Sequence, residues 1–137
     1  MRYVDTNIFI RHLANDDPAQ SEACLRFWHR VGQGSERVTT SEAIVSEVCY
    51  VLSSPRMYRL SHREVAARLQ PLLSLSGLSL ANKRSILQAL TLYAESPFLD
   101  FEDALTVAHM EREGIQDLVS YDQGFDRISG ISRSEPP

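Results

Sequence analysis

Residues 1–10 read MRYVDTNIFI, and this stretch passes from a predicted strand to a predicted helix within a few positions. Residues 2–4 suit a short strand, whereas the apolar run of residues 8–10 suits a helix that begins at once. Asp5 stands at the junction between them. Its carboxylate could cap the helix or could hold a ligand at the end of the strand. The rest of the sequence has to decide between these two roles.

The same alternation of strand and helix continues along the chain. Predicted strands cover residues 2–5, 36–40, 78–81 and 117–122, and predicted helices cover residues 7–14, 18–32, 41–52, 61–71, 82–95 and 100–113. Strands separated by helices predict parallel pairing and a three-layer α/β/α sandwich with a mainly parallel central sheet, formed by one domain over residues 1–137. In such folds the ligand site lies at the carboxyl ends of the strands. Asp5 and Asp122 each close a predicted strand at that end.

Several helix boundaries follow from local chemistry. Asp17 is the predicted cap of the second helix, with proline directly after it. Ser61 and Glu64 form the pattern of a capping box, and Asn82 is the predicted cap of the fifth helix. Pro71 is expected to kink or end the fourth helix, because proline lacks the backbone N–H that continues a helix.

Composition excludes several classes of protein. The apolar fraction of 43% and the charged fraction of 23% are those of a globular domain. The two cysteines, Cys24 and Cys49, have no metal-site spacing and are expected to be buried free thiols. The sequence shows neither a signal peptide nor an apolar run of the roughly 18 residues that a membrane span needs, so we expect a cytoplasmic protein.

Charge is unevenly distributed along the chain. Residues 54–84 contain six basic residues against one acid, whereas residues 95–126 contain nine acids against one arginine. This pattern suits a metal site beside a groove for a polyanion, although solvated surface charge would give the same counts. Arg56, Arg59 and Arg63 are the candidate substrate contacts on the basic side.

Glu47 interrupts an apolar helical stripe. It shares a predicted helix face with Ile44, Val48 and Val51, so its carboxylate is expected to meet a metal or an arginine there. An ordinary ion pair explains this position equally well. Glu42 on the same helix does not interrupt the apolar stripe, and we interpret it as an acidic residue that the helix dipole favours in the first turn.

Four further acids lie in the last third of the chain. Asp100 and Asp103 form a D-x-x-D pattern in which Asp100 suits a helix cap, while Asp103 lies one turn before an inward-facing position. Asp122 suits either an Asx turn or a site at the end of a strand. For Asp126 a supporting role is favoured over a metal contact.

Taken together, the acids are expected to share one region of the fold. Carboxylates that lie close together do not all stay ionised unless a cation compensates their charge. Mg²⁺ fits best and Mn²⁺ is possible, because both prefer carboxylate and water ligands. Zinc is disfavoured, since the four histidines show no ligand spacing with the cysteines.

Four segments, VDTNIFI, SEAIVSEVCYVL, LDFEDALTVAHM and LVSYDQGFDRI, occur in an order and spacing that resemble the PIN domain. More narrowly, they resemble the VapC-type toxins of bacterial toxin–antitoxin pairs. The resemblance covers essentially the whole chain. It implies a Mg²⁺- or Mn²⁺-dependent ribonuclease of the three-layer α/β type.

The resemblance also implies roles for individual residues. The catalytic acids would be Asp5, Glu47, Asp103 and Asp122, of which Asp5, Asp103 and Asp122 would hold the metal. The supporting residues would be Thr6, Asn7, Ser120 and Asp126, with Asn7 expected to cap the first helix. The implied partners are an RNA substrate, a cognate antitoxin protein and a second copy of the chain in a homodimer.

Other readings stay open at this point. The chain could be a catalytically weak binding module that acts through a protein partner, or a DNA-directed nuclease of the same fold. The apolar residues of RSILQALTLY, residues 84–93, could form a dimer face or belong to the core.

Overall fold

A computed structural model describes residues 1–137. The chain forms six helices: α1 (Thr6–Ala14), α2 (Pro18–Gln33), α3 (Glu42–Ser53), α4 (His62–Leu73), α5 (Lys83–Glu95) and α6 (Phe101–Glu113). It also forms five short strands: β1 (Arg2–Tyr3), β2 (Val38–Thr39), β3 (Leu78–Ser79), β4 (Asp117–Val119) and β5 (Ser132–Ser134). A 3₁₀ segment at Gln123–Arg127 lies between the last two strands. None of the helices has both the length and the apolar character that crossing a membrane requires.

All strand pairing is parallel, so the predicted α/β class is confirmed. The strands form two sheets, one in the order β1-β2-β3 and the other a pair of β4 with β5. Asp5 follows β1 and Asp122 follows β4, so the two acids end strands of different sheets. The expectation that both close strands at one edge of a single sheet is therefore not met.

The helices bury one core around the three-stranded sheet. Helix α5 packs against α4 and α6, and α1 packs against α2 and α3. Trp28 on α2 anchors α1, because its ring lies 4.9 Å from the ring of Phe9 and its Nε1 donates to the carbonyl oxygen of Ile8 at 3.2 Å. Cys24 and Cys49 are buried free thiols, as predicted.

The predicted helix starts are mostly confirmed. Asp17 accepts from the backbone N–H of Gln20, and Ser61 accepts from that of Glu64. Asn82 occupies the cap position of α5 but makes no side-chain capping bond, because its backbone is left-handed with φ of 58°.

Pro71 does not end α4. The helix continues to Leu73, since burial of Leu72 and Leu73 in the core offsets the hydrogen bond that proline removes. In residues 84–93, the side chains of Ile86, Leu90 and Tyr93 are in the core. These three side chains are therefore not available to form a dimer interface.

Gly77 fixes the approach of α2 to the sheet. Its N–H donates to the carbonyl oxygen of Val31 at 3.1 Å, and its own carbonyl accepts from the N–H of Val38 at 2.9 Å. A Cβ at this position would lie 2.3 Å from the Val31 oxygen. Only glycine therefore allows this contact between the end of α2 and the start of β3.

Candidate active site

Asp5 lies where β1 passes into α1. Its Oδ1 accepts a hydrogen bond from the backbone N–H of Thr6 at 2.8 Å, so Asp5 is the cap of α1. The expectation that Asn7 caps this helix is wrong, because the helix already begins at Thr6. Asp5, Thr6 and Asn7 line a cavity of about 350 Å³, here called the Asp5 cavity, together with Arg11, Glu47 and Tyr58. The Oδ2 atom of Asp5 is not used by the cap.

Glu47 connects the Asp5 cavity to a second one. Its side chain is exposed, so the expected burial in an apolar stripe is wrong. Its Oε2 accepts a hydrogen bond from Oγ1 of the buried Thr6 at 2.9 Å. Glu47 also lines a cavity of about 340 Å³ between α3, α4, α5 and α6, here called the Tyr93 cavity. Its other lining residues include Ser46, Tyr50, His62, Tyr93, Asp100 and Glu102.

Asp100, Asp103 and Asp122 form a group that we call the acidic triplet. Asp100 caps α6, with its Oδ1 accepting from the backbone N–H of Asp103 at 2.8 Å. Partial burial, followed by the charges of Asp100 and Asp122, raises the pKa of Asp103 to about 6. The three carboxylates therefore lie near enough to one another for their charges to interact. Because Asp100 also lines the Tyr93 cavity, the triplet adjoins that cavity.

Asp122 is held by its own turn. Its Oδ1 accepts from the backbone N–H of Gly124 at 2.8 Å, and its own N–H donates to Oγ of Ser120 at 3.0 Å. A Cβ at position 124 would lie 3.0 Å from Oδ1, so glycine permits this close turn. The Asx turn and a functional role for Asp122 are compatible, since the turn leaves Oδ2 free.

Asp126 does not join the acidic triplet. Its two carboxylate oxygens accept from Nε and Nη2 of Arg133 at 2.8 and 3.2 Å. These hydrogen bonds hold the pKa of Asp126 below its usual range. Arg133 also donates to the carbonyl oxygen of Ser120 at 2.9 Å, so this ion pair ties β5 to the turn that carries Asp122.

A comparison with protein families assigns the chain. The family model described as the PIN domain matches residues 2–131. The chain belongs to the PIN domain family. The resemblance drawn from the four sequence segments is thereby confirmed at the level of the family.

A crystal structure of VapC20 from Mycobacterium tuberculosis, described as a toxin that cleaves the sarcin–ricin loop, is similar at 22% sequence identity and a TM-score of 0.40. The match covers 99% of this PIN domain and 100% of that chain. No curated protein sequence matches this chain.

The acids of this PIN domain offer suitable donors for a divalent ion but do not converge on one point. No three histidine, cysteine, aspartate or glutamate side chains are close enough together to hold an ion. Mg²⁺ is usually bound through one or two carboxylates, with water and substrate phosphate completing the shell. Asp103 and Asp122 are the candidates for this role, because their oxygens are hard donors and the charge of Asp122 contributes to the raised pKa of Asp103. Asp5 and Glu47 lie on the neighbouring cavity.

The three candidate arginines are on a chain segment that contributes residues to both cavities. Arg56 and Arg59 are on the loop from α3 to α4, and Arg63 is in the first turn of α4. All three are exposed, and none pairs with an acid. The ends of this segment contribute Met57 to the Asp5 cavity and His62 to the Tyr93 cavity.

Sequence reasoning missed several residues of the Tyr93 cavity. Tyr93 gave no signal because it continues the apolar stripe of α5. Asp100 was assigned to capping alone, although it also lines the cavity. Glu42 was read as a simple first-turn acid, but it contacts Nε2 of His109 at 3.2 Å and so links α3 to α6.

Proposed function

We propose that this PIN domain is a metal-dependent endoribonuclease that hydrolyses phosphodiester bonds in RNA. One observation carries the proposal: Glu47 lines both cavities and Asp100 joins the second cavity to the acidic triplet. The acids from four separate sequence segments therefore border one continuous surface. Family membership supports a nuclease, and the motif resemblance to VapC-type toxins supports RNA as the substrate.

We assign the acids different roles on this surface. Asp103 and Asp122 would hold Mg²⁺ or Mn²⁺, because their carboxylates lie near enough for their charges to interact and both ions prefer carboxylate oxygen. Such an ion, when bound, supplies a water of lowered pKa and neutralises charge on the phosphate. Glu47 keeps Oε1 free and would orient the attacking water. Asp5 would contribute Oδ2 as a further ligand from its own cavity.

Other residues would position these acids and the substrate. Thr6 fixes Glu47 through its hydroxyl, and Ser120 fixes the turn of Asp122. Arg56, Arg59 and Arg63 would contact RNA phosphates, since exposed arginines without acidic partners are available for a polyanion. The binding of RNA should therefore weaken as the salt concentration rises.

The proposal extends to partners. By its resemblance to VapC-type toxins, the chain would be the toxin of a toxin–antitoxin pair and a homodimer of the cytoplasm. An antitoxin with a basic segment would suit the acidic stretch of residues 95–126, which carries nine acids against one arginine. Light scattering of the purified chain, alone and with the product of a neighbouring reading frame, tests both associations.

The central test is cleavage of a mixed RNA pool with Mg²⁺, with Mn²⁺ and with excess EDTA. Wild type, Asp103→Asn, Asp122→Asn and Glu47→Gln should be compared. Glu113→Gln is the matched control, because Glu113 is an exposed acid at the other end of the helix that carries Asp103. Cleavage by wild type and by the control, but not by the other variants or with EDTA, is the expected result.

Three outcomes would contradict the proposal or its assigned site. A folded wild-type protein that cleaves no RNA with either metal would favour the binding module, in which the acids serve a protein partner. Preferential cleavage of single-stranded DNA in competition with RNA would favour the DNA-directed nuclease. Equal activity of the Asp103→Asn variant would remove the assigned metal site.

A further inference from the structure

The Tyr93 cavity contains a buried hydroxyl group without a partner. Tyr93 is 1% exposed, and its hydroxyl oxygen makes no hydrogen bond. The neighbouring Ser53 hydroxyl donates to the carbonyl oxygen of Cys49 at 2.7 Å, so its proton is not available to the Tyr93 oxygen. Buried polar groups are nearly always paired, so this hydroxyl can donate to a polar group that enters the cavity.

The Tyr93 ring is held in place on both sides. The His62 ring stacks on it with centroids 3.9 Å apart and planes 10° apart, and Phe101 packs edge-on at 6.0 Å. Nδ1 of His62 lies 3.2 Å from the carbonyl oxygens of both Tyr93 and Ser96, so this nitrogen carries the proton that it shares with them. Burial raises the pKa of Tyr93 to about 12, so the hydroxyl stays protonated near neutral pH and can donate.

The remaining polar groups of the cavity are acceptors. Glu47, Asp100 and Glu102 line it, and each has one carboxylate oxygen without a protein partner. Tyr50 lines the cavity too and is 72% exposed, which leaves an aromatic face available to a flat ligand. The cavity thus offers one donor, several acceptors and a surface for stacking. Its volume of about 340 Å³ is within the usual range of ligand pockets.

We propose that the Tyr93 cavity binds a guanine base of single-stranded RNA next to the cleavage site. Guanine presents N1–H and an exocyclic amine as donors and O6 as an acceptor on its Watson–Crick edge. The carboxylates accept from the two nitrogens, Tyr93 donates to O6, and Tyr50 stacks on the ring. Unstacked bases in single-stranded RNA are read by this combination of edge contacts and aromatic stacking.

The other bases match the cavity less well. Uracil presents two acceptors and one donor, so its second carbonyl would face a carboxylate. Adenine and cytosine donate through their amino group only, which leaves an acceptor of the cavity without a proton. The assignment rests on the proposed function, because it names the substrate group that this same surface recognises.

Binding without catalysis tests the cavity directly. Fluorescently labelled short RNAs of uracil, each with one central guanine, inosine, adenine or cytosine, are titrated against the wild-type chain in EDTA and followed by anisotropy. The guanine oligonucleotide should bind at least about tenfold more tightly than the others, as expected for hydrogen bonds to charged groups. Inosine, which lacks the exocyclic amine, should lose most of that advantage.

Variants assign the effect to the cavity. Tyr93→Phe removes only the hydroxyl and should erase the preference for guanine without lowering the melting temperature, because the lost group has no partner in the free protein. Tyr50→Ser should weaken all the oligonucleotides. Tyr3→Ser is its matched control, since Tyr3 is 62% exposed and lies outside the cavity.

The results separate this inference from the proposed function. Equal binding of all four oligonucleotides, or an unchanged guanine preference in Tyr93→Phe, would overturn the guanine site even if RNA is cleaved. Guanine preference that depends on Tyr93 would sustain the site even if the wild-type chain cleaves nothing.

Discussion

The hydroxyl of Thr6 on α1 donates to the carboxylate of Glu47 on α3 at 2.9 Å, and the backbone N–H of Thr6 donates to the carboxylate of Asp5 at 2.8 Å. Thr6 therefore connects two acids of the candidate site that are 42 residues apart in sequence. Thr6 is 8% exposed, so its hydroxyl has little access to water, whereas the Glu47 carboxylate is exposed. Thr6→Val keeps the shape and removes the donor. We expect a loss of about 1 kcal/mol in the free energy of unfolding, measured by urea denaturation.

The control for that change is Thr91→Val. The Thr91 hydroxyl donates only to the carbonyl oxygen of Leu87 in its own helix, so its loss should change RNA cleavage little. Thr6→Val should lower cleavage by releasing Glu47. Equal cleavage by the two variants would show that the position of Glu47 does not matter for the reaction.

Asp103 makes the stability of the metal-free protein depend on pH. Its pKa is about 6 in the folded chain and 3.8 as the ordinary value, so between these values the folded state holds a proton that the unfolded state has lost. The contribution of Asp103 to stability therefore falls as pH rises from about 4 to about 6 and stays low above that. In EDTA, Asp103→Asn should melt at a higher temperature than wild type near pH 7. The difference should shrink near pH 4, and a constant difference would contradict the prediction.

A divalent ion should offset the loss of stability that the charged carboxylate of Asp103 causes in the metal-free protein. Binding to the folded state alone adds RT ln(1 + [L]/Kd), which is about 1.4 kcal/mol at a metal concentration ten times the Kd. Mg²⁺ should therefore raise the melting temperature of wild type and of Glu113→Gln. It should have little effect on Asp103→Asn or Asp122→Asn. A shift of the same size in all four proteins would place the ion elsewhere.

Arg133 should control the order of the turn that carries Asp122. Its side chain is 12% exposed and bonds Asp126, Glu135 and the Ser120 carbonyl oxygen. Arg133→Met should accelerate hydrogen exchange in residues 117–127 and lower the affinity for Mg²⁺. Because the pKa of Asp126 is lowered, this ion pair contributes above the ordinary carboxyl pKa and is lost as pH falls below it. Arg26→Met, on an exposed pair with Glu22, is the control.

The local elements were predictable because their signals are local. Caps such as Asp17, Ser61 and Asp100 set helix starts through bonds within three residues, and the structure confirms them. The prediction that Pro71 could end α4 was wrong, because burial of the residues after it is a tertiary effect. The division of the strands into two sheets depends on pairing across long stretches of chain, which no local pattern specifies. Strand β5 was missed for the same reason, since Ser132–Ser134 has no apolar alternation.

The candidate site divides in the same way. Each acid could be picked out because it interrupts a predicted apolar stripe, ends a predicted strand or lies at a predicted helix start. Their distribution over two cavities could not be predicted from the sequence, since it depends on how α3 packs against α1 and α6. Tyr93 was invisible because an aromatic residue in an apolar stripe has the same sequence pattern whether or not its hydroxyl reaches a cavity.

Glu47 lines both cavities, so the two cavities cannot change independently at this position during evolution. A substitution at position 47 alters the surroundings of Asp5 and of Tyr93 together, so selection on either cavity acts on both. Divergence between relatives should therefore accumulate first at positions that border one cavity alone, such as Met57 on one side and Tyr50 on the other.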